Sequence, residues 1–187
     1  MTANVGMNYL STGEVPPRLG NEHPNIVPYQ VFEVAQEQHL ILACGNDTQF
    51  AAVCRVMQQD WDMDERFARN PLRVQNRQAL IPMMQQAFLS KTRDEWLSLF
   101  EAAGVPCGPI NNIAEALSMP QVEHRHMVID FAANNSPVRM LGSPLHLSST
   151  PVQYRSAPPK IGQDTDEVLS QRYSVEQLAQ FKDTGVI

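Results

Sequence analysis

Two short apolar segments predict a pair of strands in the first quarter of the chain. Residues 29–35 (YQVFEVA) alternate apolar and polar positions, and residues 39–45 (HLILACG) are almost continuously apolar. Both patterns are typical of strands that have at least one buried face. The polar residues 36–38 between them predict a hairpin turn, although this turn lacks the Gly or Asn that tight hairpins usually contain.

Helical spacing of apolar residues follows the predicted hairpin. Three segments carry it: 46–59, 71–89 and 92–104. In the first, Asn46 or Asp47 is the expected N-cap. In the second, Pro82 predicts a kink or a break. In the third, Thr92 and Glu95 have the spacing of a capping box, which makes this the clearest helix of the sequence.

The remaining sequence predicts shorter elements. Residues 105–110 (VPCGPI) contain the prolines and glycine of an interrupting loop. Short helical or turn segments are expected over 111–126, and residues 127–147 predict strand, turn and strand, with the turn at NNSP. The last part begins with a proline-rich stretch and ends with two small helices, the second of which has a capping box at Ser174 and Gln177.

The order of these elements predicts an α+β fold, because strands and helices are segregated along the chain. Residues 1–28 contain four prolines and predict an extended linker. The boundaries that we predict are therefore a linker over 1–28, a small α+β domain over 29–142, and a final segment over 143–187 with two short helices.

Composition and charge narrow the classes of function. The chain has 187 residues, 43% of them hydrophobic, and a formal net charge of −6. A weakly acidic chain whose arginines, such as Arg73 and Arg77, are scattered singly argues against a nucleic-acid partner. Neither a membrane span nor a signal-peptide core is visible, and three cysteines without a CxxC pair suggest reduced thiols. We expect a soluble, cytoplasmic protein without membrane partners.

The residues with catalytic or metal-binding chemistry form no site motif. The five histidines are His23, His39, His124, His126 and His146. Only His124 and His126 are close in sequence, and no Cys or carboxylate spacing completes a zinc site. Cys107 lies in a tight loop, where packing is a better explanation than reactivity. We therefore predict no metal and no catalytic residue in this chain.

The proline-stiffened loop near the start is a better candidate for meeting a ligand. Arg18 and His23 flank Gly20 within "PPRLGNEHPN", and stiff loops with mixed polar groups often contact ligands. A surface tail is the alternative. On the residues alone the choice stays open.

Four stretches, taken together, resemble the family III CoA-transferases (CaiB/BaiF type), a group that includes carnitine and formyl-CoA transferases and α-methylacyl-CoA racemases. They are "NYLSTGEVPPRLGNEHPNIVPYQVF", "LACGNDTQF", "AGVPCGPINNIAEALSMPQV" and "GSPLHLSSTPVQYRSAPPKIGQDTDEVL", in this order from about residue 8 onward. The resemblance covers the linker, the small domain and the C-terminal return segment of that family. The N-terminal Rossmann-like half, with the nucleophilic aspartate and most of the coenzyme A contacts, has no counterpart here.

This resemblance implies a function and a set of candidate residues. An intact member moves CoA between carboxylic acids, with a CoA thioester as substrate and no tightly bound cofactor. The residues that we expect to face the substrate are Arg18, Gly20, Asn21, Glu22, His23 and Asp47. Asp47 is the acid nearest to a position where racemases use a Glu, and a helix-capping role explains it equally well. The glycine-rich lid of some members is reduced here to Gly20.

The resemblance also leaves alternatives. Without the aspartate half, we expect this chain to be inactive alone and to form a homodimer or associate with a large-domain chain. Alternatively it is a free-standing dimerisation or docking domain, or a fragment of an acyl-CoA racemase.

Overall fold

The computed structural model describes residues 3–133 and 136–187. The described chain divides into two compact units, one ending at Asn112 and the other beginning at Ile113. Both contain helices and strands, which confirms the mixed fold that the element order predicts. The predicted boundaries at 28/29 and 142/143 do not coincide with this division and remain predictions about the longer architecture.

The first unit is built on a three-stranded antiparallel sheet. Its strands are β1 (Tyr29–Glu33), β2 (His39–Ala43) and β3 (Cys107–Ile110), in the order β1-β2-β3. The predicted hairpin is confirmed, with Tyr29 opposite Ala43. Gln36 and Glu37 both have positive φ, 64° and 57°, so two ordinary residues adopt the left-handed backbone that Gly or Asn usually supplies.

Strand β3 replaces the loop that the sequence predicts at 105–110. It pairs with β2, with Leu40 opposite Pro109. Because β3 lies at the edge of the sheet, one side of its backbone has no ladder partner, and an edge strand accommodates a proline.

Among its described residues the first unit contains five α-helices: α1 (Ala3–Thr12), α2 (Asp47–Met57), α3 (Asn70–Gln75), α4 (Arg77–Phe88) and α5 (Arg93–Ala102). Helix α1 corrects the prediction that the whole of 1–28 is extended. The break expected at Pro82 lies instead at Asn76, and Pro82 is inside α4. Asn76 donates from its side chain to the carbonyls of Leu72 and Arg66, and this competition with the helical ladder favours a break.

The core of the first unit lies between the sheet and the helices α2, α4 and α5. Phe88 stacks on Phe32 at a ring distance of 4.5 Å, and Trp96 stacks on Phe100 at 5.5 Å. The buried Trp96 indole donates to the carbonyl of Phe88 at 2.8 Å, so its one polar atom is satisfied. The predicted capping box of α5 is present, with both its contacts.

The second unit contains a hairpin and four short helices among its described residues. These are β4 (Val128–Ala133), β5 (Ser136–Leu141), α6 (Ile113–Leu117), α7 (Pro120–His124), α8 (Thr165–Leu169) and α9 (Val175–Asp183). Val128 pairs with Leu141 in the predicted antiparallel hairpin. Residues 134–135 of the expected NNSP turn lie outside the described residues. The capping box at Ser174 is confirmed.

Candidate functional site

The candidate site is built around residues 20–27, which we call the connector loop. This loop leads into β1 and lies against the first residues of α3 and α4. Three side chains at intervals of three and four residues, Asn70, Arg73 and Arg77, donate hydrogen bonds to carbonyls of the loop. We call these three side chains the clamp.

Arg77 holds the middle of the connector loop. Its Nη2 donates to the carbonyls of His23 and Pro24 at 3.0 and 2.9 Å. Its Nη1 lies 3.0 Å from Oε2 of Glu22, and the Arg77 side chain is only 17% exposed. A planar guanidinium presents several donors in fixed directions, so one side chain can bind three consecutive residues.

Asn70 and Arg73 hold the end of the loop before β1. The Asn70 side chain donates to the carbonyl of Asn25 at 2.8 Å and accepts from the Val27 N–H at 3.0 Å. Arg73 Nε donates to the carbonyl of Val27 at 2.7 Å. The carbonyls of Asn25 and Val27 and the Val27 N–H therefore have protein partners and do not depend on water for their hydrogen bonds.

Arg73 is fully buried, and each of its three side-chain nitrogens has a hydrogen-bond partner. Its Nη1 donates to the carbonyl of Phe67 at 2.9 Å, and its guanidinium lies over the Phe50 ring at 4.3 Å. Its counter-charge is Asp47, whose Oδ1 lies 2.8 Å from Nη2. The same oxygen accepts from the Asn70 N–H at 2.9 Å. A buried cation with this many partners is compensated within the fold.

Asp47 is placed by the start of α2. Asn46 is the N-cap, and its side chain accepts from the Gln49 N–H, so of the two predicted caps the structure uses Asn46. Asp47 follows as the first helical residue, with its side chain 52% exposed. The observed role of Asp47 is to pair with Arg73, and a role toward substrate remains a prediction.

The opposite side of the connector loop is bonded to β1. Asn21 accepts from the Val31 N–H at 2.9 Å, and the His23 N–H donates to the carbonyl of Tyr29 at 3.0 Å. The His23 ring stacks on the Tyr29 ring at 5.3 Å. The loop is thus held between β1 on one side and the clamp on the other.

The imidazole of His23 also orders its surroundings. Its Nδ1 accepts from the Asn25 N–H at 3.1 Å, and its Nε2 lies 3.1 Å from the side-chain amide of Asn4 in α1. Asn8 and Asn25 add a reciprocal pair of amide hydrogen bonds at 2.9 and 3.0 Å.

A cleft of about 680 Å³ separates α1 and the residues before the loop from the start of α4. Its polar lining includes Asn8, Glu14, Glu22, Arg77 and Gln78. Of the predicted substrate-facing residues, Gly20 and Glu22 line this cleft, and Gly20 has a φ of +61°.

Of the four other predicted residues, Asn21 and His23 belong to the same loop without lining the cleft, and Arg18 and Asp47 lie outside the loop. Asn21 and His23 are bonded to β1, Asp47 is paired with Arg73, and Arg18 is exposed. The structure therefore brings four candidates, 20–23, into one loop and leaves the remaining two apart.

The clamp is what the sequence interpretation missed. In the sequence Arg73 and Arg77 resemble scattered single charges, whereas in the structure one is fully buried and the other is mostly buried. The available signal was the spacing of Asn70, Arg73 and Arg77 in "NPLRVQNR", three polar side chains within an otherwise helical segment. That spacing identifies a shared face but not the loop that it contacts.

The three cysteines lie outside the connector loop, and their thiols have raised pKa values. Burial raises the pKa of Cys44 to about 11 and that of Cys54 to about 12. The pKa of the half-buried Cys107 is raised as well, mainly by burial and to a smaller extent by the nearby Glu101 carboxylate. A raised pKa keeps a thiol protonated and unreactive at neutral pH.

Two further observations concern metal ligands and membrane-spanning helices among the described residues. Along residues 3–133 and 136–187, no three His, Cys, Asp or Glu side chains come together as a metal site would require. Every helix in the described part of the chain is too short or too polar to cross a bilayer.

Comparison with known proteins connects this geometry to a family. The family model described as CoA-transferase family III matches residues 1–165. An acyl-CoA transferase from Fusarium pseudograminearum is 37% identical over 192 residues, covering 100% of this chain and 42% of that protein. A succinate–glutarate CoA-transferase from Agrobacterium fabrum is 37% identical over 179 residues, covering 95% and 44%.

A solved structure agrees with these matches. The crystal structure of a CAIB/BAIF family protein from Brucella suis superposes with a TM-score of 0.78 at 37% identity, covering 91% of this chain and 44% of that one. The chain spans less than half the length of the curated relatives that it matches. Partial coverage is what the motifs predict for a C-terminal portion.

Proposed function

The chain belongs to CoA-transferase family III, and from this membership we propose that it contributes the connector and small-domain portion to an enzyme that moves coenzyme A between carboxylic acids. The observation that carries the proposal is the 37% identity to a succinate–glutarate CoA-transferase over 95% of this chain. The substrate would be an acyl-CoA thioester, and no tightly bound cofactor is required.

Small dicarboxylic acids are the proposed class of CoA acceptor. Relatives named for glutarate, oxalate and mesaconate support this class. In the family mechanism that the resemblance implies, an aspartate carries the acyl group and then CoA, which divides one difficult transfer into two easier steps. That aspartate belongs to the portion of the family that this chain does not match.

We therefore propose that the chain is inactive alone and acts with a large-domain portion. The two acids among the candidate residues support this view, because Glu22 is paired with Arg77 and Asp47 with Arg73. A carboxylate that already neutralises an arginine is a weaker nucleophile than a free one.

The test is a chimera in which this chain replaces the matching portion of the Agrobacterium enzyme. The chimera should exchange CoA between succinyl-CoA and glutarate, as followed by mass spectrometry of the thioesters. This chain alone and the remaining Agrobacterium portion alone should both be inactive. A chimera that assembles by light scattering but transfers no CoA would overturn the proposal, and so would transfer by the isolated chain.

Association without catalysis is the second candidate, and one observation favours it. Helix α1 has no buried residue and exposes Met7 and Leu10, whose exposed fractions are 59% and 75%. Exposed apolar side chains of this kind favour a protein contact. Light scattering of the isolated chain decides whether it forms a homodimer, and replacement of both residues with Ser should abolish any dimer that this face forms.

A further inference from the structure

We propose that Arg77 is a positioning residue, which holds the connector loop as a fixed wall of the CoA-transfer site so that the loop does not act as a mobile lid. This inference rests on the proposed function, because it assumes that the loop faces the reacting groups. Its structural part concerns only the described residues of the first unit.

The geometry of Arg77 is the first step. One guanidinium reaches three consecutive residues, the Glu22 carboxylate and the carbonyls of His23 and Pro24, across 53 to 55 residues of sequence. All three distances are 2.9 to 3.0 Å. Opening of the loop would have to break these bonds together, and the carbonyls of His23 and Pro24 would lose their protein partner.

The second step is that the loop is held from both sides. Asn21 and His23 are bonded to β1 through Val31 and Tyr29, while Arg77 binds the intervening residue and the two carbonyls. Gly20, with its positive φ, marks the boundary where this bonded segment begins. Restraint from two opposite sides fixes both the position and the orientation of residues 21–24.

The third step separates Arg77 from the other arginine of the clamp. Arg73 also binds Phe67, Phe50 and Asp47 and is part of the core. The hydrogen bonds that the Arg77 side chain makes to described residues all go to the connector loop. Replacement of Arg77 should therefore release the loop while the core stays intact, which makes its role testable.

Hydrogen–deuterium exchange on the full chain tests the restraint directly. In Arg77→Gln, the backbone amides of His23 and Asn25 should exchange about tenfold faster or more, because local opening of the loop no longer has to break the hydrogen bonds of the Arg77 side chain. Arg69→Gln is the matched control, because Arg69 is exposed and the change in charge is the same. Unchanged exchange in the loop of Arg77→Gln would overturn the inference.

Two further variants separate bridging from charge. Arg77→Lys keeps the charge opposite Glu22, but a single ammonium group cannot bind three residues in this geometry. Its loop should exchange nearly as fast as that of Arg77→Gln. Glu22→Gln keeps both carbonyl bonds and should exchange close to the wild type. If the loop exchanged slowly in Arg77→Lys and fast in Glu22→Gln, the ion pair alone would hold the loop, contrary to the inference.

The chimera with the Agrobacterium portion tests the consequence for transfer. In the Arg77→Gln chimera, kcat should fall about tenfold with little change in KM for succinyl-CoA. A displaced connector loop should impair the orientation of the reacting groups and not ground-state binding. Arg77→Lys should not restore kcat. Wild-type kcat combined with faster loop exchange would overturn the positioning role and leave the proposed function intact. An inactive parent chimera would overturn the proposed function, and the positioning role would fall with it.

Discussion

The guanidinium of Arg73 lies 2.8 Å from Oδ1 of Asp47, and this contact connects the last turn of α3 to the exposed start of α2. The arginine side chain is fully buried, whereas half of the aspartate side chain is exposed. The pair therefore spans the boundary of the core. Its cation depends on protein partners, and its anion keeps access to water.

Replacement of Arg73 should be strongly destabilising. Arg73→Ala removes the counter-charge of Asp47, leaves the carbonyls of Val27 and Phe67 without their donors, and empties the space over Phe50. We expect a loss of about 3–5 kcal/mol in the free energy of unfolding, measured by urea denaturation. Asp47→Asn keeps a side-chain acceptor and should cost clearly less. Equal losses would show that the charge on Asp47, and not the bonds of Arg73 to the loop, is what matters.

The aromatic cluster gives a prediction about the core. Trp96→Ala and Phe100→Ala should each reduce the free energy of unfolding by about 3–5 kcal/mol, because both side chains are buried and stacked on each other. Leu99→Ala is the control on the same helix, since that side chain is 41% exposed. Chemical denaturation that shows a loss below about 1 kcal/mol for Phe100→Ala would contradict the packing described for α5.

Local signals in the sequence account for the elements that were predicted correctly. The hairpin of β1 and β2 and the helix α5 follow from apolar spacing together with turn or capping residues, all of which act within a few positions. Strand β3 does not follow from the sequence because Pro106, Gly108 and Pro109 are typical of loops, and only its pairing with β2 makes it a strand. The sequence indicates a break at Pro82, whereas the break lies at Asn76, because the Asn76 side chain competes with the helical ladder.

The clamp could not be predicted from spacing for a related reason. Each of its bonds to the connector loop joins residues 43 to 55 positions apart. Periodicity indicates that Asn70, Arg73 and Arg77 share a face, but it does not indicate what that face contacts. A buried arginine is also unusual, since arginine is mostly exposed unless it is paired. The proline-stiffened pattern and the family resemblance both indicate the loop that contains residues 20–23, whereas the partners of these residues are visible only in the structure.

Gly104 gives a test of backbone conformation alone. It follows α5 with a φ of +66°, and a Cβ added there would meet no atom within 4 Å. Gly104→Ala should therefore cost about 1–2 kcal/mol through the left-handed backbone and not through a clash. Gly45→Ala is the control, because Gly45 lacks a positive φ and its added Cβ would make only an ordinary contact, 3.4 Å from Gln49. Thermal or urea unfolding of the two variants measures the difference.

The buried thiols predict how stability depends on alkaline pH. Burial raises the pKa of Cys44 to about 11 and that of Cys54 to about 12, from an ordinary value of 9.0. The folded chain therefore keeps these protons at a pH where the unfolded chain releases them, so the thiols favour the fold fully below pH 9 and lose that contribution as the pH rises toward 11 and 12. Urea denaturation should show stability falling over this range. The double variant Cys44→Ala, Cys54→Ala should show a shallower fall, since the remaining alkaline groups are unchanged. Parallel curves for the two proteins would contradict the assignment of this slope to the buried thiols.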